Sequence, residues 1–203
     1  MKIRAESGAN RLITWLLTLV RIVIGWHFLY EGIAKLMSPD WSSAPYLAGS
    51  RWIFAPLFNA MAESPAMVGI IDQVNIWGMI LVGLGLITGL LTRWASLGAV
   101  VMLLFYFVAY PPVPGYMFGV PVEGSYLWVN RNLIVLFALS VFIFISPSLQ
   151  YGLDRLIRRW REEKARVPVG ETVSGRETGM GRREVLRDLI SIPALGAFAY
   201  ALY

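Results

Sequence analysis

Four apolar runs set the plan of this chain, from Leu12 to Leu36, Met67 to Leu91, Trp94 to Tyr110 and Tyr126 to Ile145. Each is near the roughly 20 residues a helix needs to cross a hydrocarbon core of about 30 Å. The pattern predicts an all-α, integral membrane four-helix bundle over residues 12–148. The first run follows Lys2 and Arg4, exceeds the core of a signal peptide and has no small-residue cleavage site, so it reads as a retained anchor. Between the first two runs, Pro39, Pro45, Pro56 and Pro65 alternate with Trp41, Trp52, Phe54 and Phe58. That composition predicts a loop along the bilayer interface, where aromatic rings prefer to sit. Residues 111–125 carry four prolines and three glycines, which forbid a regular helix, whereas Thr92 and Arg93 mark a tight turn.

Lys and Arg in the connections give the direction of threading. Lys2, Arg4 and Arg11 precede the first run, Arg93 separates the second from the third, and Arg155, Arg158, Arg159, Arg161, Lys164 and Arg166 follow the fourth. These predict a cytoplasmic N-terminus (residues 1–11) and a cytoplasmic segment after the fourth span. The opposite connections hold Arg51 as their one basic residue against Asp40, Glu63 and Glu123, and are expected outside.

Residues 149–166 place Leu153, Leu156, Ile157 and Trp160 on one face among arginines, the pattern of a basic amphipathic helix lying on phospholipid head groups. A polar linker, 167–181, precedes a short C-terminal apolar segment, 182–203. Arg182, Arg183, Glu184, Val185, Leu186 and Arg187 look like a twin-arginine export signal. The apolar run behind them, Leu189 to Tyr203, is 15 residues and is broken by Pro193. An interfacial anchor, a remnant of a fusion to an exported enzyme, and a fifth span all fit it.

Composition sharpens this picture. The chain is 57% hydrophobic and 15% charged with a mean hydropathy of +0.59, against roughly 45–50% and 25% in soluble domains. A net charge of +5 would point to nucleic acid in a soluble protein, but here the basic residues flank the spans, and no nucleic-acid partner is expected. The absence of cysteine removes disulfides, thiolate metal sites and cysteine nucleophiles, so sulfur redox chemistry would need another subunit. His27 is the only histidine, which excludes a haem held by two histidines of this chain and a zinc site built on a histidine pair. No metal and no covalently bound cofactor are expected.

Charges inside a bilayer are costly unless paired or hydrated, which singles out Arg21, Glu31, Lys35, Asp72 and Arg131. In helical projection Arg21, Gly25, Phe28, Gly32 and Lys35 share one face, with Glu31 at its margin, and the glycines let a neighbouring helix approach closely. Arg21, Gly25, Phe28 and Gly32 are read as packing positions. Glu31, Lys35, Asp72, Asn75, Tyr106, Tyr110, Asn130 and Arg131 all fall toward the predicted outer ends of their spans, and together outline a candidate polar cavity. Two readings stand. Glu31 with Lys35 and Asp72 with Arg131 neutralise each other and fix the packing. Alternatively the cavity receives a quinone head group or another small amphipathic reductant, with Lys35 or Arg131 polarising a carbonyl and Glu31 or Asp72 relaying a proton. His27 is assigned no role, because it projects away from the Arg21 face. The stripe Trp77, Gly78, Gly83, Gly85 and Gly89 reads as helix packing, since no strand precedes it as dinucleotide binding would need.

The series Arg21, Gly25, Phe28, Gly32, Lys35, Leu36, Asp40 and Trp41, followed by Asp72, Asn75, Trp77, Gly78, Gly83 and Gly89, resembles the DoxX family over roughly Ile13 to Leu153. It is especially similar to the DoxD-like branch, the small membrane subunit of thiosulfate:quinone oxidoreductase. The resemblance implies a four-helix subunit in the cytoplasmic membrane of a bacterium or archaeon. Such a subunit delivers electrons to the quinone pool beside a substrate-binding oxidoreductase partner, and the tail after Val167 lies outside the pattern. A non-catalytic anchor or assembly factor for a redox enzyme is the second class, and would depend on Trp41, Arg51 and Trp52. A small-solute transporter is the third, although no internal repeat of the kind many transporters carry is visible.

Overall fold

Unbroken apolar sequence makes the long helices here, and proline decides where several of them begin. The structure is a computed structural model, and it describes residues 2–112, 125–126, 129–145 and 151–166, with the isolated positions 197 and 200. The expected polar linker and all but those two positions of the expected tail lie outside the described residues. Helix α1 runs from Lys2 to Leu36 and ends where Ser38 and Pro39 stop it. Its apolar part, Asn10–Leu36, is 27 residues long. Thr14 and Thr18 fit that part because each hydroxyl donates to the carbonyl four residues back, Asn10 and Thr14 respectively, at 2.9 and 2.8 Å.

The proline-rich connection is not an irregular loop. Pro45 and Pro56 stand in the first turns of two short helices, α2 (Ala44–Ala48) and α3 (Ala55–Glu63), where a missing N–H costs nothing. Pro65 opens α4 (Pro65–Thr88) in the same way, behind an Ser64 cap whose side chain accepts from the Met67 N–H. Helix α4 stops at Gly89, whose φ of 68° is the left-handed conformation that closes a helix C-terminus, and α5 (Thr92–Ala109) starts three residues later.

The fourth apolar run departs from its expected form. Ser125–Tyr126 (β1) pairs antiparallel with Val129–Asn130 (β2), so helix α6 begins only at Arg131 and ends at Phe144. Its 14 residues amount to about 21 Å at 1.5 Å per residue. Among the described residues three helices, α1, α4 and α5, are long and apolar enough to cross a membrane. Large apolar side chains on them, among them Val23, Leu81 and Leu104, are exposed and imply contact with lipid. Last comes α7 (Leu153–Arg166), with Ile157 and Trp160 exposed.

Helices α1 and α4 lie antiparallel with backbones in close approach. A Cβ on Gly25 would sit 2.9 Å from the Ile87 backbone N, one on Gly32 3.0 Å from the Ile80 N, and one on Gly83 2.5 Å from the Leu29 N. Ile24 and Phe28 of α1, Met79, Val82 and Leu86 of α4, Ala99 and Leu103 of α5 and Leu139 and Phe142 of α6 share one buried apolar cluster. At the end of the bundle that carries the α4–α5 turn, Arg21 is fully buried, and its Nη1 donates to the Tyr151 carbonyl at 3.1 Å. Beside it the Asp154 carboxylate accepts from the Leu91 and Thr92 N–H groups at 2.9 and 3.4 Å, while the Asp154 N–H returns a bond to the Gly89 carbonyl. The start of α7 is thereby fastened to the α4–α5 turn, with Asp154 capping α5 from 62 residues away.

Candidate functional site

The candidate site lies at the opposite end of the bundle, where α1 meets α2, α4, α5 and α6. Lys35 stands in the last turn of α1, where a cation also suits the helix dipole. Its Nζ donates to Asn75 Oδ1 at 2.8 Å and to Met79 Sδ at 3.2 Å. Those two residues are four apart on α4 and so present the same face to α1. The ammonium also lies 4.9 Å from the ring centre of Trp41 and 5.7 Å from that of Tyr106, an aromatic setting that favours a cation.

From Lys35 a polar chain crosses the bundle. Asn75 Nδ2 donates to the Tyr106 hydroxyl, and the Tyr106 carbonyl accepts from the Tyr46 hydroxyl at 3.0 Å. The Tyr46 ring meets Tyr106 edge-on at 5.7 Å and Tyr110 at 4.5 Å. Burial, reinforced by Tyr106 and Tyr110, pushes the Tyr46 phenol well up from its usual value, so it stays a neutral donor. Burial raises Tyr110 as well, against the pull of Arg51.

A cavity of about 170 Å³ opens beside this chain. His27, Glu31, Lys35, Tyr46, Tyr106, Arg131 and Asn132 line its polar side, and Phe28, Met79 and Leu103 the apolar side. Glu31 has no hydrogen bond or ion pair with any described residue. Four of the eight residues outlined from the sequence therefore reach one cavity: Glu31, Lys35, Tyr106 and Arg131. Asn75 stands directly behind, holding Lys35 to Tyr106.

The other three do different work. Asp72 Oδ1 accepts from the Ser43 N–H at 2.7 Å and pins the start of α2 to α4. Asn130 caps α6, its Oδ1 accepting from the Leu133 N–H at 2.9 Å. Tyr110 stacks on Tyr46 outside the cavity. Neither Glu31 with Lys35 nor Asp72 with Arg131 forms an ion pair, because Lys35 and Asp72 are turned to the neutral partners just named. Of the packing positions, Gly25 and Gly32 lie against α4, Phe28 is core and cavity wall together, and Arg21 is at the far end of α1.

Three polar lining residues, His27, Tyr46 and Asn132, stand outside the eight outlined from the sequence, Asn132 directly following Arg131. His27 lies about one helical turn before Glu31, four positions back, and that spacing places it over the same wall rather than away from it. Tyr46 arrives on α2, and nothing in the linear pattern of that segment marks it.

Long apolar helices around a shared core, with a polar cavity at one end, define a multi-pass helical membrane protein. Residues 16–111 match the DoxX family, a stretch that takes in most of α1 and all of α2 to α5. The Lys35, Asn75 and Tyr106 network falls inside that match, and Arg131 falls beyond it. No curated protein and no solved structure matches the chain.

Proposed function

We propose that the chain is a four-span membrane subunit of an oxidoreductase complex of the DoxD-like kind, and that its polar cavity receives the head group of a quinone. In this reading the N-terminus and α7 face the cytoplasm of a bacterium or archaeon, and the cavity lies in the outer half of the bilayer. The observation that carries it is the juxtaposition of Glu31 and Lys35 on one wall without an ion pair between them. An ammonium has three donors, and two are engaged by Asn75 and Met79, which leaves one for a bound carbonyl. Glu31, without a partner among the described residues, is placed to accept or return a proton. Arg131 supplies a second cation at the mouth, and Phe28, Met79 and Leu103 provide the apolar surface a ring needs. At about 170 Å³ the space suits a single ring, below the roughly 300–1,000 Å³ of clefts for larger ligands.

A quinone accepts two electrons and two protons overall. The electrons come from the substrate-binding partner, and what this chain contributes is orientation and a proton path through Glu31. The test is turnover of the assembled complex with quinone as acceptor. Glu31→Gln is expected to lower it by about a hundredfold, the usual scale of a positioned acid or base. Unchanged turnover overturns the proposal.

A second reading, a non-catalytic anchor, draws on the exposed apolar surface of the α2–α3 connection, where Ile53 and Phe54 stand out from the fold. It predicts that Arg51→Ala and Trp52→Ala release the partner enzyme while Glu31→Gln leaves the complex intact and active.

A further inference from the structure

A second cavity, of about 280 Å³, lies between α4 and α5 beneath α2 and α3. Its character is opposite to the first: Leu47, Phe58, Val74, Met102 and Phe105 line it. Its polar members are Ser43, Asn75 and the tyrosines Tyr46 and Tyr106, and the Asn75 amide is already engaged by Lys35 and Tyr106. Two side chains belong to both cavities, Tyr46 and Tyr106. The polar and apolar spaces therefore share one wall, made by an edge-to-face tyrosine pair. One member of the pair, Tyr46, is carried on the five-residue helix α2 rather than on a span.

The apolar cavity opens sideways. Val74 is 63% exposed, Ile70 59% and Phe105 62%, and all three line it on the outer surfaces of α4 and α5, which face lipid in a membrane. A mouth of this kind admits a molecule from the hydrocarbon, not from water.

We infer that this cavity is the passage for the hydrocarbon tail of the quinone whose head group occupies the polar cavity, entered laterally between α4 and α5. The inference rests on the quinone reading above. The shared wall of Tyr46 and Tyr106, which sets this lateral mouth directly against the head-group cavity, argues for a ligand with a head on one side and a tail on the other, and the quinone reading makes that ligand a tailed quinone. Lipid chains are as apolar as the cavity lining, so the tail gains little affinity from entering it. What the cavity supplies is room for the tail to leave the head-group site toward the membrane. Blocking the mouth should therefore exclude a tailed ligand and spare a short one.

The experiment uses the purified full chain in nanodiscs and equilibrium retention of two radiolabelled probes, decyl-substituted benzoquinone and the same benzoquinone without a chain, with empty nanodiscs subtracted. Val74→Trp is expected to weaken the decyl compound at least tenfold and to leave the chain-free compound unchanged. Leu81→Trp, on the lipid face of α4 at 65% exposure and outside both cavities, should change neither. If Val74→Trp leaves decylbenzoquinone binding intact, the passage is overturned while the head-group site stands. If Val74→Trp loses both probes, Ile70→Phe is read in its place, and loss of both there overturns the passage too. Retention of neither probe by the wild type removes the quinone reading and the passage with it. A copurified phospholipid that decylbenzoquinone does not displace also overturns the passage.

Discussion

Lys35 gives its ammonium to the Asn75 amide oxygen at 2.8 Å and forms no ion pair with Glu31, although Glu31 is one turn away on the same helix. A neutral acceptor satisfies the lysine and leaves the carboxylate without a partner among the described residues, and the candidate chemistry depends on that division. Replacing Asn75 by Leu, close in shape, removes the acceptor and also the donor to Tyr106. The expected loss is about 1–3 kcal/mol for buried polar groups left without partners, read as a lower melting temperature in detergent. Asn75→Leu melting with the wild type would contradict the network.

Close contact between α1 and α4 makes a sharper packing prediction. A Cβ at Gly83 meets the backbone N and Cα of Leu29 at 2.5 and 2.7 Å, and backbone cannot swing aside as a side chain can. Gly83→Ala should cost about 1–3 kcal/mol as the helices are forced apart. Gly69, on the same helix, has nothing within 4 Å of the corresponding position. Gly69→Ala should be neutral or stabilise by about 0.8–1.0 kcal/mol through helix propensity. Thermal unfolding of the two variants side by side checks both.

Asp154 holds the turn between α4 and α5 from outside, through the Leu91 and Thr92 amides. Asp154→Ala should lower stability by about 0.5–2 kcal/mol, as for other lost helix caps. It should also speed hydrogen exchange at Leu91 and Thr92 more than elsewhere in α5. Uniform exchange across α5 would show that the cap is idle.

Tyr46 sets an alkaline limit. Its phenol is raised in the folded state from the ordinary value of 10.0, so the folded chain holds this proton more tightly than the unfolded chain does. The resulting stabilisation is complete below about pH 10 and is lost as pH rises through the folded value. Tyr110 shifts in the same direction. Melting temperature should fall from about pH 10 upward, and Tyr46→Phe should flatten that fall while losing about 0.5–1.5 kcal/mol at neutral pH with the bond to the Tyr106 carbonyl. An alkaline limb identical in the variant would contradict the assignment.

The spans were legible because an apolar run of membrane length has few other uses. Leu12–Leu36, Met67–Leu91 and Trp94–Tyr110 fall within a few residues of the apolar stretches of α1, α4 and α5. The fourth run misled at its start: Tyr126 and Val129 are as apolar as helix residues, yet they belong to β1 and β2, and Asn130 is the stop between hairpin and helix. Helices α2 and α3 were hidden because proline reads as a breaker, although it serves as well in a first turn. At the site, charge inside apolar sequence exposed the polar level but not the pairing. Whether Lys35 meets Glu31 or Asn75 depends on the rotation of α4 against α1, which glycine contacts at Gly25, Gly32 and Gly83 decide across more than forty residues of intervening chain.

The proposed site of a quinone head group is the cavity bounded by Glu31, Lys35, Tyr46 and Tyr106. Photolabelling of the chain in its native membrane with an azido-benzoquinone, followed by mapping of the modified residues, tests it directly. Label is expected on α1 between His27 and Lys35 and on Tyr46, competed away by unlabelled quinone and reduced by Glu31→Gln. Label confined to lipid-facing residues such as Leu81 and Leu104, without competition, would contradict it.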